Sequence, residues 1–127
     1  MSHRILIVED QADIRKLIRM TLEFGDFEIH EAEDGPAGLA AAAHLKPTVM
    51  LLNVTMPGSL DGYQVCRRIR QDPALQAIQV VLLTARGQIG DIEAGQQAGA
   101  NACLVKPFSP LELIDRVEAM VSEHVTS

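Results

Sequence analysis

Basic residues are in short supply in this chain. Eleven Lys and Arg stand against seventeen Asp and Glu, a formal net charge of −6. Non-specific nucleic-acid binding needs a basic footprint, so direct nucleic-acid contact is disfavoured, while protein partners are not. Cysteine is nearly absent: Cys66 and Cys103 are the two present, far apart and in no CxxC spacing. That leaves no disulfide framework and no zinc knuckle, and it suits reduced, buried thiols in a cytoplasmic protein. No apolar run approaches the roughly 18 residues that a membrane span requires. Met1-Ser2-His3-Arg4 leads straight into a strand-like run, without a signal-peptide pattern. None of the histidines His3, His30, His44 and His124 has ligand spacing, and there is no internal repeat or low-complexity linker.

What remains is 127 residues with 47% hydrophobic and 22% charged side chains. That composition suits one globular domain over 1–127, with a core at 4–122 and a polar tail at 123–127 expected to fray. A chain of this length buries roughly two-thirds of its unfolded surface, enough for a core without staples.

Two periodicities alternate along it. Ile5–Val8, Val49–Leu52 and Val80–Leu83 are near-continuous apolar runs, as strands buried on both faces should be. Phe27–Ala32 and Ala102–Val105 are weaker strand signals. Between them lie helical stretches. Ile14, Leu17, Ile18, Thr21 and Leu22 form one amphipathic stripe, and Leu113, Ile114, Val117, Met120 and Val121 form another. Asp34-Gly35-Pro36 opens a helix to about Leu45, Asp61 or Gly62 opens one that stops near Asp72-Pro73, and Ser109-Pro110-Leu111-Glu112 is a capping box. The segment Gln88–Ala98, with Gly90 and Gly95, reads as the weakest helix. The pattern βαβαβαβαβα predicts an α/β fold, a doubly wound five-stranded parallel sheet with helices on both faces. Ligands of such sheets gather at the C-terminal strand ends.

Those ends carry an informative set of side chains: Glu9-Asp10 after the first strand, Asn53 after the third, Thr84 after the fourth, Lys106-Pro107 after the fifth. Paired carboxylates with a further oxygen suit a hard cation such as Mg²⁺. A lysine and a hydroxyl opposite could hold phosphoryl oxygens, and phosphoryl transfer asks mainly for positioning and charge neutralisation. A carboxylate at position 53 would be the nucleophile. A small nucleotide binder of the same fold would need a glycine-rich loop after the first strand, and "VEDQAD" has no glycine.

The ordered pieces "ILIVED", "EAEDG", "LLNVTMPG", "DGYQVCRRIR", "VVLLTA", "AGAN" and "VKPF" resemble the receiver domain of two-component response regulators, from Ile5 to Val121. The resemblance implies a flavodoxin-like sheet of order 2-1-3-4-5. It implies Mg²⁺ on Glu9 and Asp10, with the Thr55 backbone carbonyl and position 53 as further ligands. It makes Thr84 the hydroxyl that senses the phosphoryl group and Lys106 the lysine that pairs with it, across a cis Lys106-Pro107 bond. The partners implied are a sensor histidine kinase or phosphotransfer protein, and an output partner the sequence does not name. Homodimerisation through the fourth and fifth helices is left open. The aspartate form would catalyse its own phosphorylation and dephosphorylation; this chain is not expected to be an enzyme.

Asn53 stands where the family has its phosphoaccepting aspartate. An amide is a poor nucleophile, cannot form an acyl phosphate, and weakens a Mg²⁺ site by removing one anion. It reads as an engineered block in a working receiver, as a natural pseudo-receiver acting without phosphate, or as a simple strand-end cap. The intact Glu9, Asp10, Thr84 and Lys106 favour the first. Cys103 replaces an aromatic common in receivers, so an aromatic toggle is unavailable there. Ser59-Leu60 lengthens the loop "MPGSLDGY". Arg67, Arg68 and Arg70 read as a solvated face, and Arg86, two past Thr84, has no firm role.

Overall fold

The three apolar runs become the middle of a sheet, and the two weaker ones its edges. The computed structural model describes residues 3–56, 58, 60–84, 89–106 and 109–126, with the side chains of 89–92 and 123–126 also left aside. The elements in order are β1 His3–Val8, α1 Ala12–Leu22, β2 Phe27–Ala32, α2 Gly35–Leu45, β3 Val49–Asn53, α3 Gly62–Gln71, β4 Gln79–Thr84, α4 Ile89–Ala98, β5 Ala102–Val105 and α5 Pro110–Thr126. All strand pairs are parallel and the order is β2-β1-β3-β4-β5, as expected. Helix α5 runs to Thr126, four residues past the expected core limit of 122.

Side chains alternate across the sheet with the period of two that strand geometry imposes. Ile5, Ile7, Val49, Leu51, Val81 and Leu83 face α1 and α5, through Ile18, Leu22, Leu113 and Val117. Leu6, Val8, Met50, Leu52, Val80 and Leu82 face the other way, onto Ala42, Val65, Cys66, Ile69 and Ala98 of α2, α3 and α4. Each fully buried aliphatic side chain contributes roughly 1.5–3 kcal/mol relative to exposure, which is why the two-faced central strands dominate the fold.

The helix starts are capped as their sequences demand. Asp34 accepts from the Ala37 amide, Asp61 and Gln64 form a reciprocal capping box, and Ser109 and Glu112 form the box expected of α5. In α1, Ile18, Thr21 and Leu22 are buried, but Leu17 is 58% exposed and shares an outward apolar strip with Met20 and Phe24. Leu17 lies about 100° round the helix from Ile18, and the sheet covers only the Ile18 side.

Gly95 in α4 has a packing reason. A Cβ there would meet Cys103 Sγ at 3.0 Å and Leu82 Cδ1 at 3.1 Å, so glycine lets α4 lie close on β4 and β5. Cys103 is half-buried rather than fully buried as expected; Cys66 is fully buried. Leu60, from the lengthened loop, is buried against the start of α2: a Cβ on Gly35 would approach Leu60 Cβ to 2.8 Å. Ser59 lies outside the described residues.

Arg70 corrects the expectation of a solvated arginine face. Arg67 and Arg68 are exposed, but the Arg70 guanidinium donates to the carbonyls of Gly99 (2.7 Å), Ile78 (2.7 Å) and Gln76 (3.1 Å), and to Asn101 Oδ1 (2.6 Å). Asn101 Oδ1 also accepts from the Val80 amide at 2.8 Å. One planar, five-donor head thereby ties α3 to the loops that enter β4 and β5.

Replacing Arg70 with Ala leaves these carbonyls without a charged donor and should cost about 2 kcal/mol in urea unfolding, with Arg70→Lys recovering little of it. Burial pushes the Cys66 thiol above its ordinary value of 9.0. The neutral thiol is thus favoured by the fold, and its stabilisation is present below that value and lost as pH rises through the higher folded one. At pH 8.5 iodoacetamide should alkylate Cys66 at least about tenfold more slowly in the folded chain than in urea, read by mass spectrometry of its peptide.

Candidate functional site

At the C-terminal edge of the sheet, β1 ends at Val8 and delivers Glu9 and Asp10, β3 ends on Asn53, β4 on Thr84, and β5 leads into Lys106. Backbone bonds continue the ladders just beyond the strands: Glu9 N to Ala32 O, Val54 N to Leu83 O, and Lys106 N to Thr84 O at 2.7 Å. These bonds fix the heights at which the polar side chains emerge. Gly62 at the start of α3 completes the floor. Its N–H donates to Val54 O, and a Cβ on it would lie 2.5 Å from Asn53 O and 2.7 Å from Val54 Cα, both unyielding backbone atoms.

Glu9 is 0% exposed, and a carboxylate so deep requires compensation. The Lys106 ammonium supplies it at 2.7 Å from Glu9 Oε1, while the Gln11 amide donates to Glu9 Oε2 at 3.2 Å. Lys106 Nζ also donates to Asn53 Oδ1 at 3.1 Å. On its other side Asn53 Nδ2 donates to Glu9 Oε2 at 3.0 Å, Asp10 Oδ1 at 3.0 Å and the Thr55 carbonyl at 2.7 Å. Two N–H hydrogens thus serve three oxygens, so one hydrogen is shared. Asp10, Asn53, Thr55, Thr84 and Lys106 line one solvent-open cleft, with Met56 and Tyr63 on its wall.

Each of the six residues singled out in the sequence therefore lies at this rim, including the Thr55 carbonyl. The Lys106-Pro107 bond and Arg86 lie outside the described residues. The sequence reading missed two supports: Gly62, whose signal was the Asp-Gly pair opening α3, and Gln11, whose contribution is a backbone amide and carries no side-chain signal.

The donor set of Glu9, Asp10 and the Thr55 carbonyl is the oxygen chemistry a Mg²⁺ ion takes. In this chain, however, those oxygens converge on the amide nitrogen of Asn53, which donates hydrogens and has no lone pair to offer a metal. The arrangement does not fit the ion: the place where it would be held belongs to an N–H donor. Among the described residues no cluster of three or more His, Cys, Asp or Glu forms a metal site.

A Gly62→Ala substitution should push α3 off the end of β3 and destabilise the chain by about 1–3 kcal/mol, measured by chemical denaturation. The Asn53 side-chain amide resonances should shift with it, because its Cβ would press on the Asn53 carbonyl.

Residues 5–118 match the family of response regulator receiver domains. The chain is 41% identical over 118 residues to the transcriptional regulatory protein ResD of Bacillus subtilis, covering 93% of this chain and 48% of that protein. It is 43% identical over 122 residues to the response regulator PleD of Caulobacter vibrioides, covering 94% of this chain and 26% of that protein. The chain thus spans about half the length, or less, of these relatives. Among solved structures, the chemotaxis protein CheY4 of Vibrio cholerae superposes with a TM-score of 0.88 at 27% identity, over 94% of this chain and 99% of that one. The receiver domain of a signal transduction histidine kinase from Syntrophus aciditrophicus also gives 0.88 at 27% identity, over 96% of this chain and 92% of that one. With its sheet order, its strand-end residues and these similarities in agreement, the chain belongs to the receiver domain family of two-component response regulators.

Proposed function

We propose that this chain is a signalling receiver in a form that cannot accept a phosphoryl group. Position 53 is the acceptor position, and an aspartate there would take the phosphoryl group from a sensor histidine kinase, a phosphotransfer protein or a small acyl phosphate. The observation that carries this reading is the Lys106 ammonium held between Glu9 and the side chain of residue 53. A lysine so placed neutralises charge that would accumulate on a phosphorylated carboxylate. Thr84, at the neighbouring strand end, is the hydroxyl that would report the group's arrival, and β5 with the flanking α4 and α5 would pass the change to an output partner. The setting for such a module is the cytoplasm. Which output it serves differs even among its relatives, whose names include transcriptional regulation and signal transduction.

Asparagine ends that chemistry in this chain. Its amide carbonyl is neutral, and no acyl phosphate forms without first converting the amide to a carboxylate. The completeness of the surrounding set supports a substitution introduced into a working receiver. A second reading, a natural module that docks on its partner in one fixed state, is favoured by a different observation. The Asn53 amide has partners on every side, as a residue settled into its place would have.

Treated with acetyl phosphate and Mg²⁺, the Asn53→Asp chain should gain one phosphoryl mass on the peptide containing residue 53, and the Asn53 chain none. An unlabelled Asn53→Asp chain that is folded by circular dichroism would count against the proposal. An aspartate codon at this position in the source genome would assign the amide to engineering.

A further inference from the structure

Asn53 has two orientations that exchange the places of its amide oxygen and nitrogen, and its neighbours allow one. On one side stands the Lys106 ammonium, which has donors and no acceptor. On the other stand two carboxylates and a carbonyl, acceptors only when the carboxylates are ionised. With Oδ1 toward Lys106 at 3.1 Å and Nδ2 toward Glu9, Asp10 and Thr55 at 2.7–3.0 Å, every contact joins donor to acceptor. Reversed, the amide would set N–H against N–H and oxygen against three oxygens.

We propose that the Asn53 amide is a built-in replacement for a divalent cation, and that Lys106 excludes the cation by fixing which way the amide points. The NH₂ group gathers the two carboxylates and the loop carbonyl, as a bound ion would. It lets Glu9 and Asp10 lie beside residue 53 without any ion. A cation entering the cleft must displace this donor. To use the amide oxygen as a ligand it must also turn the amide, bringing NH₂ against the Lys106 ammonium. Lys106 itself is held at 2.7 Å by the fully buried Glu9, so it does not swing aside freely.

This inference concerns the chain with asparagine at 53 and does not depend on phosphoryl transfer. Its consequence runs against simple ligand counting. If Asn53 merely offered a weak ligand, removing its side chain would reduce cation affinity. If its NH₂ group competes with the cation, Asn53→Ala should increase affinity despite taking an oxygen away.

The test is calorimetric titration with Mg²⁺ of five chains: the Asn53 chain, Asn53→Ala, Lys106→Met, and Asn53→Asp with and without Lys106→Met. The Asn53→Ala chain should bind Mg²⁺ at least about tenfold more tightly than the Asn53 chain, the scale of losing charge-assisted hydrogen bonds. Removing the lysine charge should raise affinity in either background. The gain should be at least about tenfold larger with asparagine than with aspartate at 53, because a carboxylate has no orientation to reverse. In ¹H–¹⁵N spectra the Asn53 side-chain amide should stay unshifted as Mg²⁺ is added to the Asn53 chain. Equal or weaker binding by Asn53→Ala would overturn the proposal. So would equal Lys106→Met gains in the two backgrounds, which would mean that Lys106 acts by charge alone. If the Lys106→Met chains do not fold, the Asn53→Ala comparison decides by itself, since it leaves the Lys106–Glu9 pair in place.

Discussion

A buried carboxylate holds the functional edge of this molecule together. Glu9 has no solvent contact, and an ion in that position is costly unless another charge and further hydrogen bonds meet it. The Lys106 ammonium, the Gln11 amide and the Asn53 amide meet it together. Those partners come from the end of β3, the segment after β1 and the end of β5. The Glu9 charge therefore makes one requirement of three separate elements. Lys106, at 19% side-chain exposure, is the only one of the charged pair in touch with water. It forms the border between the dry interior and the open cleft.

From this arrangement follows a distinction between shape and chemistry at residue 53. Asparagine and aspartate have nearly the same outline, so packing scarcely separates them. What differs is that the amide brings two hydrogens where the carboxylate brings charge. In the first case the acidic pair turns inward on a donor; in the second it repels and must be neutralised from outside. The fold tolerates either outline, while the state of the cleft depends on which is present.

Much of this was legible in the residues. The runs in β1, β3 and β4 announce strands buried on both faces, because they are only about four residues long, continuous, and followed by polar or turn residues. The Ser109–Glu112 box announced the start of α5, and the types at the strand ends announced a charged rim. Other features depend on distant partners. Arg70 resembles its neighbours Arg67 and Arg68 in sequence, and only the arrival of the Gly99 carbonyl and Asn101, about thirty positions away, separates them. Leu17 belongs to an amphipathic pattern but faces outward, since a stripe marks which residues are apolar and not how wide the covering surface is. The orientation of the Asn53 amide is invisible in one dimension, because it is set by what stands on its two sides.

The span of chain enclosed by the Glu9–Lys106 bond is 97 residues, nearly the whole fold. During synthesis the counter-charge of Glu9 arrives 97 residues after it, only once all five strands have been translated. Closing so long a loop is entropically costly, and contacts of this kind form after local ones. Charge balance at the rim thus rests on one of the longest-range contacts in the fold. Its formation requires that the ends of β1 and β5, set apart by β3 and β4 in the sheet, share one edge.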